Sequence, residues 1–375
     1  MKFNISSSAL SGRLQAISRV INSKNTLPIL DCFLFDIKEN VLSITASDNE
    51  TTMITTVEVT EASENGSFAI ASKNVLDAIK EISEQPLTFD VNLQTLEITI
   101  SYQNGKCSVI GQNAEEYPKY AELDNDKKVH FSLGADVLLN GITRTVFATA
   151  DDELRPVMNG IYFDIAPDDL TMVASDGHKL VRNRNLATKN TEKAAFILPK
   201  KPAGLLKNIL GKEQGDVNVD FDDRYACVTM SNYRMMCRLI EGRYPNYNAV
   251  IPQNNPYRAT IDRVGFLSAL RRVSVFSSAS SSLIKVRLLS NEVIVSAQDI
   301  DFSTSAEEKL ACSYEGEPMS IGFKATFLID ILNNLAGQDV ILELADPSRA
   351  GVIVPAEQPE NEDILMLLMP MMLND

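Results

Sequence analysis

The feature that most constrains this chain is that its pattern is written three times. A strand-like run ending in an acid occurs as Leu42-Ser43-Ile44-Thr45-Ala46-Ser47-Asp48, as Leu170-Thr171-Met172-Val173-Ala174-Ser175-Asp176 and as Val293-Ile294-Val295-Ser296-Ala297-Gln298-Asp299. After each acid, at a separation of 25, 24 and 25 residues, an apolar strand end meets a lysine that opens a helical pattern: Ile70-Ala71-Ser72-Lys73, Ile197-Leu198-Pro199-Lys200 and Ile321-Gly322-Phe323-Lys324. A third mark, Glu116-Tyr117-Pro118-Lys119-Tyr120, returns as Arg243-Tyr244-Pro245-Asn246-Tyr247. A repeat fixes architecture before any motif does. Three tandem domains are expected, 1–124, 128–250 and 256–375, separated by the polar, aperiodic stretches Leu123–Lys128 and Ile251–Pro256.

Within a repeat, Leu10, Leu14, Ile17 and Ile21 fall on one helical face, with Arg13 and Arg19 off it. Leu76, Ile79 and Ile82 mark a second helix. The alternating runs Phe33–Ile37, Leu42–Ala46, Phe89–Val91 and Leu96–Ile100 read as half-buried antiparallel strands. Each unit is therefore helix, strands, helix, strands: an α+β domain with its helices on one face of the sheet.

A formal charge of −15 argues against a protein that coats DNA, because such binding relies on Lys and Arg displacing counterions from phosphate. The charge is unevenly spread, however. Residues 10–24 carry Arg13, Arg19 and Lys24 without an acid, residues 200–212 carry four lysines without one, and residues 263–287 carry Arg263, Arg271, Arg272, Lys285 and Arg287 without one. Acids concentrate at Glu115, Glu116, Glu122, Asp124 and Asp126 and at Glu357, Glu360, Glu362 and Asp363. The N-terminus lacks a signal-peptide run and no stretch reaches membrane-span length, so a cytoplasmic location and no membrane partner are expected. Five cysteines without a C-x-x-C pair fit reduced thiols and no zinc site.

These residues resemble the bacterial DNA sliding clamp family, the DNA polymerase III beta subunits, over essentially the whole length. The likeness is carried by Met1-Lys2-Phe3, Thr26-Leu27-Pro28-Ile29-Leu30, Arg155-Pro156-Val157-Met158-Asn159-Gly160, Ala174-Ser175-Asp176-Gly177-His178-Lys179-Leu180, Gly242-Arg243-Tyr244-Pro245-Asn246-Tyr247 and Met369-Pro370-Met371. The resemblance implies three tandem clamp domains per chain, with antiparallel sheets outside and helices lining a central hole in a head-to-tail homodimeric ring. Two helices per repeat, in three repeats of two chains, make twelve. At about 8–10 Å between packed axes they trace a circle roughly 30–38 Å across, and subtracting ~10 Å of helix thickness leaves room for duplex DNA. Enclosure reconciles the charge, since a ring can slide on a loose basic lining while its acidic exterior repels DNA.

The resemblance places Lys24, Lys73, Lys80, Lys200, Lys201 and Lys207 toward the hole, with Arg155 near it. It places the ring joint at Cys107 and Val109 in one chain and Val275 and Phe276 in the other. A partner-peptide groove would use Met158, Ser175, Gly177, His178, Lys179, Leu180, Pro245, Val250, Lys324, Phe327, Leu367, Leu368, Met369, Pro370 and Met371. Implied partners are double-stranded DNA without sequence preference, a second copy, the polymerase catalytic subunit, the clamp loader and repair proteins. Against the family pattern, Met158 stands for Leu, Phe327 for Tyr, Lys324 for Asn and Met372 for Arg, and Asn374-Asp375 extend past the usual end.

Catalytic readings are weaker. A hydrolase using Asp48, Asp176 or His178 lacks an assembled acid, base and nucleophile, and His130 and His178 have no metal-ligand spacing. Ser282-Leu283-Ile284-Lys285 and Ser47-Asp48-Asn49 mimic beta-lactamase motifs in the wrong order, without a Lys-Thr-Gly. No Walker loop or G-x-G-x-x-G is present, so no cofactor is expected. A structural repeat module that binds proteins without encircling DNA is the other rival.

Overall fold

The computed structural model describes residues 1–373; Asn374 and Asp375, the expected extension, lie outside the described residues. The first repeat opens with β1 (Lys2–Ser6) and α1 (Ser7–Ile17), then β2 (Cys32–Lys38), β3 (Val41–Ser47), β4 (Thr51–Glu58) and β5 (Gly66–Ala71). It closes with α2 (Ser72–Ile79), β6 (Pro86–Val91), β7 (Glu97–Tyr102) and β8 (Gly105–Ile110). The second runs β9 (Val129–Gly134), α3 (Ala135–Thr145), β10 (Gly160–Ile165), β11 (Leu170–Ser175), β12 (Lys179–Asn185) and β13 (Ala194–Pro199). Then come α4 (Lys200–Leu210), β14 (Asp216–Phe221), β15 (Tyr225–Thr229) and β16 (Tyr233–Arg238). The third runs β17 (Tyr257–Asp262), α5 (Arg263–Ser274), β18 (Leu283–Leu289), β19 (Glu292–Asp299), β20 (Thr304–Tyr314) and β21 (Met319–Lys324). It ends with α6 (Ala325–Asn334), β22 (Asp339–Leu344), β23 (Gly351–Pro355) and β24 (Glu362–Leu368). The same order of eight strands and two helices is thus repeated three times.

The strands are antiparallel throughout and order as β1-β6-β7-β8, as β5-β2-β3-β4-β16-β15-β14-β9 and as β13-β10-β11-β12-β24-β23-β22-β17-β20-β19-β18-β21. Each repeat therefore supplies two four-stranded blocks. The second block of one repeat is hydrogen-bonded to the first block of the next, across β4–β16 and again across β12–β24. Packing groups the chain into two compact units, Met1–Leu138 with Gly204–Leu239 and Leu139–Ala203 with Ile240–Asp375. The middle repeat contributes one block to each.

In the first unit, α1 starts where the Ser6 side chain accepts the Ala9 N–H at 3.1 Å, an N-cap that the following small residues permit. Leu10, Leu14 and Ile17 are fully buried, each worth about 1.5–3 kcal/mol of transfer free energy. The expected fourth member, Ile21, is displaced. A 3-10 turn over Ser18–Val20 advances by about 120° per residue instead of 100°, which brings Val20 inward and leaves Ile21 half-buried. Likewise α2 stops at Ile79, before Ile82, where tightened turn bonds run from Glu81 N–H to Ala78 O and from Ile82 N–H to Ile79 O. Its buried apolar residues are Val75 and Ile79, not Leu76. The strand readings agree: Phe33, Phe35 and Ile37 alternate inward against Leu42, Ile44 and Ala46.

The repeated acid has one local job in all three places. Asp48 Oδ1 accepts the Glu50 and Thr51 N–H groups at 3.0 and 2.6 Å, Asp176 Oδ1 those of His178 and Lys179 at 2.8 and 2.9 Å, and Asp299 Oδ1 those of Asp301 and Phe302 at 3.0 and 3.2 Å. Each carboxylate closes the hairpin turn after the second strand of its block by standing in for a backbone acceptor.

Candidate functional site

The second unit gathers the predicted groove residues around the β12–β24 pair. Lys179 lies opposite Leu368 and Leu180 opposite Leu367, and the chain leaving β24 is tied on both sides, Met369 N–H to His178 O and Met371 N–H to Gly322 O, each at 2.8 Å. Leu180 and Leu367 are buried in one cluster with Val173, Ile197, Tyr244 and Ile251, and Tyr162 stacks on Tyr244 at 4.8 Å between centroids. Leu368 belongs to a second cluster, on which Phe327 packs half-buried. Gly177, His178, Pro245, Val250 and Met369 are exposed, whereas Ser175, Lys324, Pro370 and Met371 are intermediate. Met158 is buried, and it is Val157 that packs on the Leu180–Leu367 cluster. That contact uses Gly242, at φ +129, where an added Cβ would stand 2.8 Å from Val157.

Gly177 takes φ +90, a left-handed conformation that suits glycine, and a Cβ there would approach Arg155 to 2.9 Å. Arg155 lies over this turn, held by Asp152 at 2.8 Å. Beside it, Lys179 is only 5% exposed; its Nζ is 2.5 Å from Asp176 Oδ2 and 4.2 Å from the Phe327 ring centre. Lys324 Nζ lies 4.7 Å from the same ring, so two ammonium groups meet one aromatic. Burial pushes the Asp176 carboxyl up, but the Lys179 ammonium and the two turn N–H groups outweigh it and hold it below its ordinary value. Asp330, half-buried on α6, is raised by burial, with Lys179 opposing.

The predicted DNA-facing cations divide by environment. In the first unit Lys24, Lys73, Lys80 and Lys207 are exposed, Lys80 bonded to Asp77 at 2.8 Å. In the second, Lys201 is exposed and Lys200 meets Asp151 at 2.5 Å. Arg13 differs from the free surface cation its position suggests: its guanidinium donates to Asn232 Oδ1 at 2.7 Å and lies 5.2 Å from the Tyr233 ring centre. Arg272 holds Glu308 through two bonds of 2.7 and 2.6 Å. Arg263 caps the end of α6 through Leu332 O and Gly337 O at 3.0 and 2.8 Å.

Of the predicted joint residues, Cys107 and Val109 lie half-buried in β8, whose only sheet neighbour among the described residues is β7. Val275 and Phe276 follow α5 and are 76% and 41% exposed. His130 bonds Asp220 at 2.9 Å, and among the described residues no group of three His, Cys, Asp or Glu side chains is placed to hold a metal. No described helix is long and apolar enough to cross a membrane.

Three copies of a two-helix, eight-stranded unit chained through their sheets define the three-domain clamp fold. Family models of the DNA polymerase III beta subunit match the chain at residues 1–121 for the N-terminal domain, 132–246 for the central domain and 248–372 for the C-terminal domain. The chain belongs to that family. Relatives named beta sliding clamp include one from Haemophilus influenzae, 27% identical over 98% of this chain and 99% of its own, and one from Vibrio cholerae, 26% identical over 100% of both. Among solved structures, a Pseudomonas aeruginosa sliding clamp bound to griselimycin is similar with a TM-score of 0.93 and 24% identity. The Thermotoga maritima beta subunit is similar with a TM-score of 0.90 and 23% identity. Each covers 100% of both chains.

Proposed function

We propose that two copies of this chain close head to tail around duplex DNA and tether the replicative polymerase, the clamp loader and repair proteins through the β12–β24 groove, with no chemistry of their own. Nucleotidyl transfer then belongs to the polymerase holoenzyme, and the ring works in the cytoplasm beside the chromosome. Domains 1–124, 128–250 and 256–375 would each supply a third of a half-ring. Lys24, Lys73, Lys80, Lys200, Lys201 and Lys207, with Arg155 near them, would face phosphate. Lys73 is exposed in the first turn of α2, where the helix dipole disfavours a cation, so an external anion gives this charge a use.

The observation that carries the reading is the series of joints. The fourth strand of repeat one pairs with the eighth of repeat two, and the fourth of repeat two with the eighth of repeat three, which among the described residues leaves open one edge of the eighth strand of repeat one and one edge of the fourth strand of repeat three over Thr304–Ala311. Open edges attract partners, and a second copy offers the missing strand at each. Sedimentation equilibrium should give a mass near twice 41.3 kDa; a persistent monomer at micromolar concentration overturns the ring.

The groove is proposed to take apolar-anchored peptides, a reading supported by the similar Pseudomonas aeruginosa clamp having been solved bound to griselimycin. Phe327 offers such a ligand a ring but no hydroxyl. A Phe327→Tyr exchange is expected to tighten binding of a labelled peptide from the polymerase catalytic subunit by roughly threefold to tenfold, one added hydrogen bond; unchanged affinity by fluorescence anisotropy counts against it.

A further inference from the structure

Lys73, Lys200 and Lys324 hold the same place in the three repeats, where a strand hands over to a helix, yet only two of them meet an acid of their own chain. Asp77 follows Lys73 by four residues, and its carboxyl is lowered first by its bond to Lys80 and further by Lys73. Lys200 meets Asp151 at 2.5 Å. Four residues after Lys324 stands the fully buried Leu328, the first turn of α6 holds no acid, and Lys324 has no carboxylate partner among the described residues. Its half-buried side chain places Nζ 4.7 Å from the Phe327 ring centre. A ring face attracts an ammonium but offers its three N–H donors no lone pair. The neighbouring charges are already matched. Lys179, over the same ring at 4.2 Å, is neutralised by Asp176, Arg155 is held by Asp152, and Asp330 acts on Lys179. His178 stacks on Phe327 at 6.0 Å between ring centres, and its carbonyl accepts the Met369 N–H. The corner around Phe327 therefore carries one uncompensated ammonium, that of Lys324.

We infer that the peptide held in the groove carries an acidic side chain close to its apolar anchor, and that Lys324 selects for it. The inference rests on the groove reading proposed above and adds the chemistry a ligand must present there. The charged corner adjoins the apolar surface directly. Lys179, which reaches the Phe327 ring, pairs with Leu368, and the next rung is the Leu180–Leu367 pair of the apolar cluster. A cation beside an apolar cluster fits a chain that carries an aliphatic and an acidic group side by side. A peptide has both, whereas a phosphodiester backbone has no aliphatic anchor. On a chain of net charge −15 an acidic segment is repelled in general, so a single unmatched ammonium governs where such a segment can settle. Lys324 also stands where the family pattern has Asn, which makes the preference a property of this chain.

The test uses the full-length protein and overlapping fluorescent peptides that tile the polymerase catalytic subunit. In the peptide that binds most tightly by anisotropy, each Asp is exchanged for Asn and each Glu for Gln, one at a time, and a C-terminally amidated copy is made. One acid-to-amide exchange should weaken binding to wild type by about threefold to tenfold, the scale of a partly exposed charge-assisted hydrogen bond. The same exchange should cost nothing measurable with Lys324→Met, which keeps the aliphatic stem, and the full amount with Lys324→Arg. With Lys324→Glu the order should invert, the amide peptide binding more tightly. Wild type alone gives a second reading, because raising salt from about 0.05 to 0.5 M should shrink the gap between the acidic and amide peptides. A tightest peptide without an acidic residue, exchanges without effect, a loss that persists in Lys324→Met or a gap untouched by salt each overturns the inference and leaves the groove standing. A loss on C-terminal amidation alone assigns the carboxylate to the chain end and overturns the side-chain assignment. No binding by any peptide overturns the groove reading and the inference with it.

Discussion

Replacing Asp176 by alanine is expected to destabilise the second unit by about 3–5 kcal/mol, the range for removing one partner of a buried ion pair. The Lys179 ammonium would keep the Phe327 face, 4.2 Å away, but lose its carboxylate at 2.5 Å in a site where its side chain is 6% exposed. The turn N–H groups of His178 and Lys179 would lose their acceptor in the same step. Asp176→Asn keeps that acceptor and should fall between the variant and wild type in urea denaturation. The pH dependence follows from the lowered carboxyl. Stabilisation by a depressed acid is present above the unfolded value, near 3.8, and is lost as pH falls through the lower folded value. Wild type should lose this contribution below about pH 4 and Asp176→Ala should have none to lose. A deficit under about 1 kcal/mol at neutral pH would mean that water or Asp330 replaces the carboxylate.

Ending the chain at Leu368 is expected to weaken binding of the labelled polymerase peptide proposed for the groove by about 100-fold or more, the scale set by removing a cluster of central contacts. Met369, Pro370 and Met371 are removed together, and with them the two backbone bonds that fix this segment to His178 and Gly322. β24 itself remains, and the proposed joint uses β8 and β20, so the mass in solution should not change. Calorimetry reads the first effect and sedimentation the second; equal loss of both would show that the segment supports the fold and not the groove.

What the sequence made legible was what local chemistry dictates. Strand alternation such as Phe33-Leu34-Phe35 carries its own period, and the turn acids Asp48, Asp176 and Asp299 recur because a hairpin turn needs an acceptor at that point. Helix ends were less legible. The chain leaves α1 by a 3-10 turn that changes phase, and nothing between Ile79 and Ile82 is a helix breaker. Side-chain partners far apart in sequence could not be read at all: the acid-free run at 200–212 meets Asp151, the run at 263–287 meets Glu308, and Arg13 finds Asn232. In the groove, the choice of Val157 over Met158 depends on the space left by Gly242, which only the folded chain defines.

Threading is the claim on which the account turns, and it separates from ordinary affinity by salt and by DNA topology. Hold by phosphate contacts falls steeply with salt, whereas hold by enclosure does not. The direct measurement is retention on nicked circular DNA, loaded by a clamp loader and then filtered at about 0.5 M salt, where electrostatic binding is largely lost. The account predicts that the protein stays with the circle and leaves when a restriction cut makes an end. Equal retention on circular and linear DNA, or none on either after loading, would contradict it.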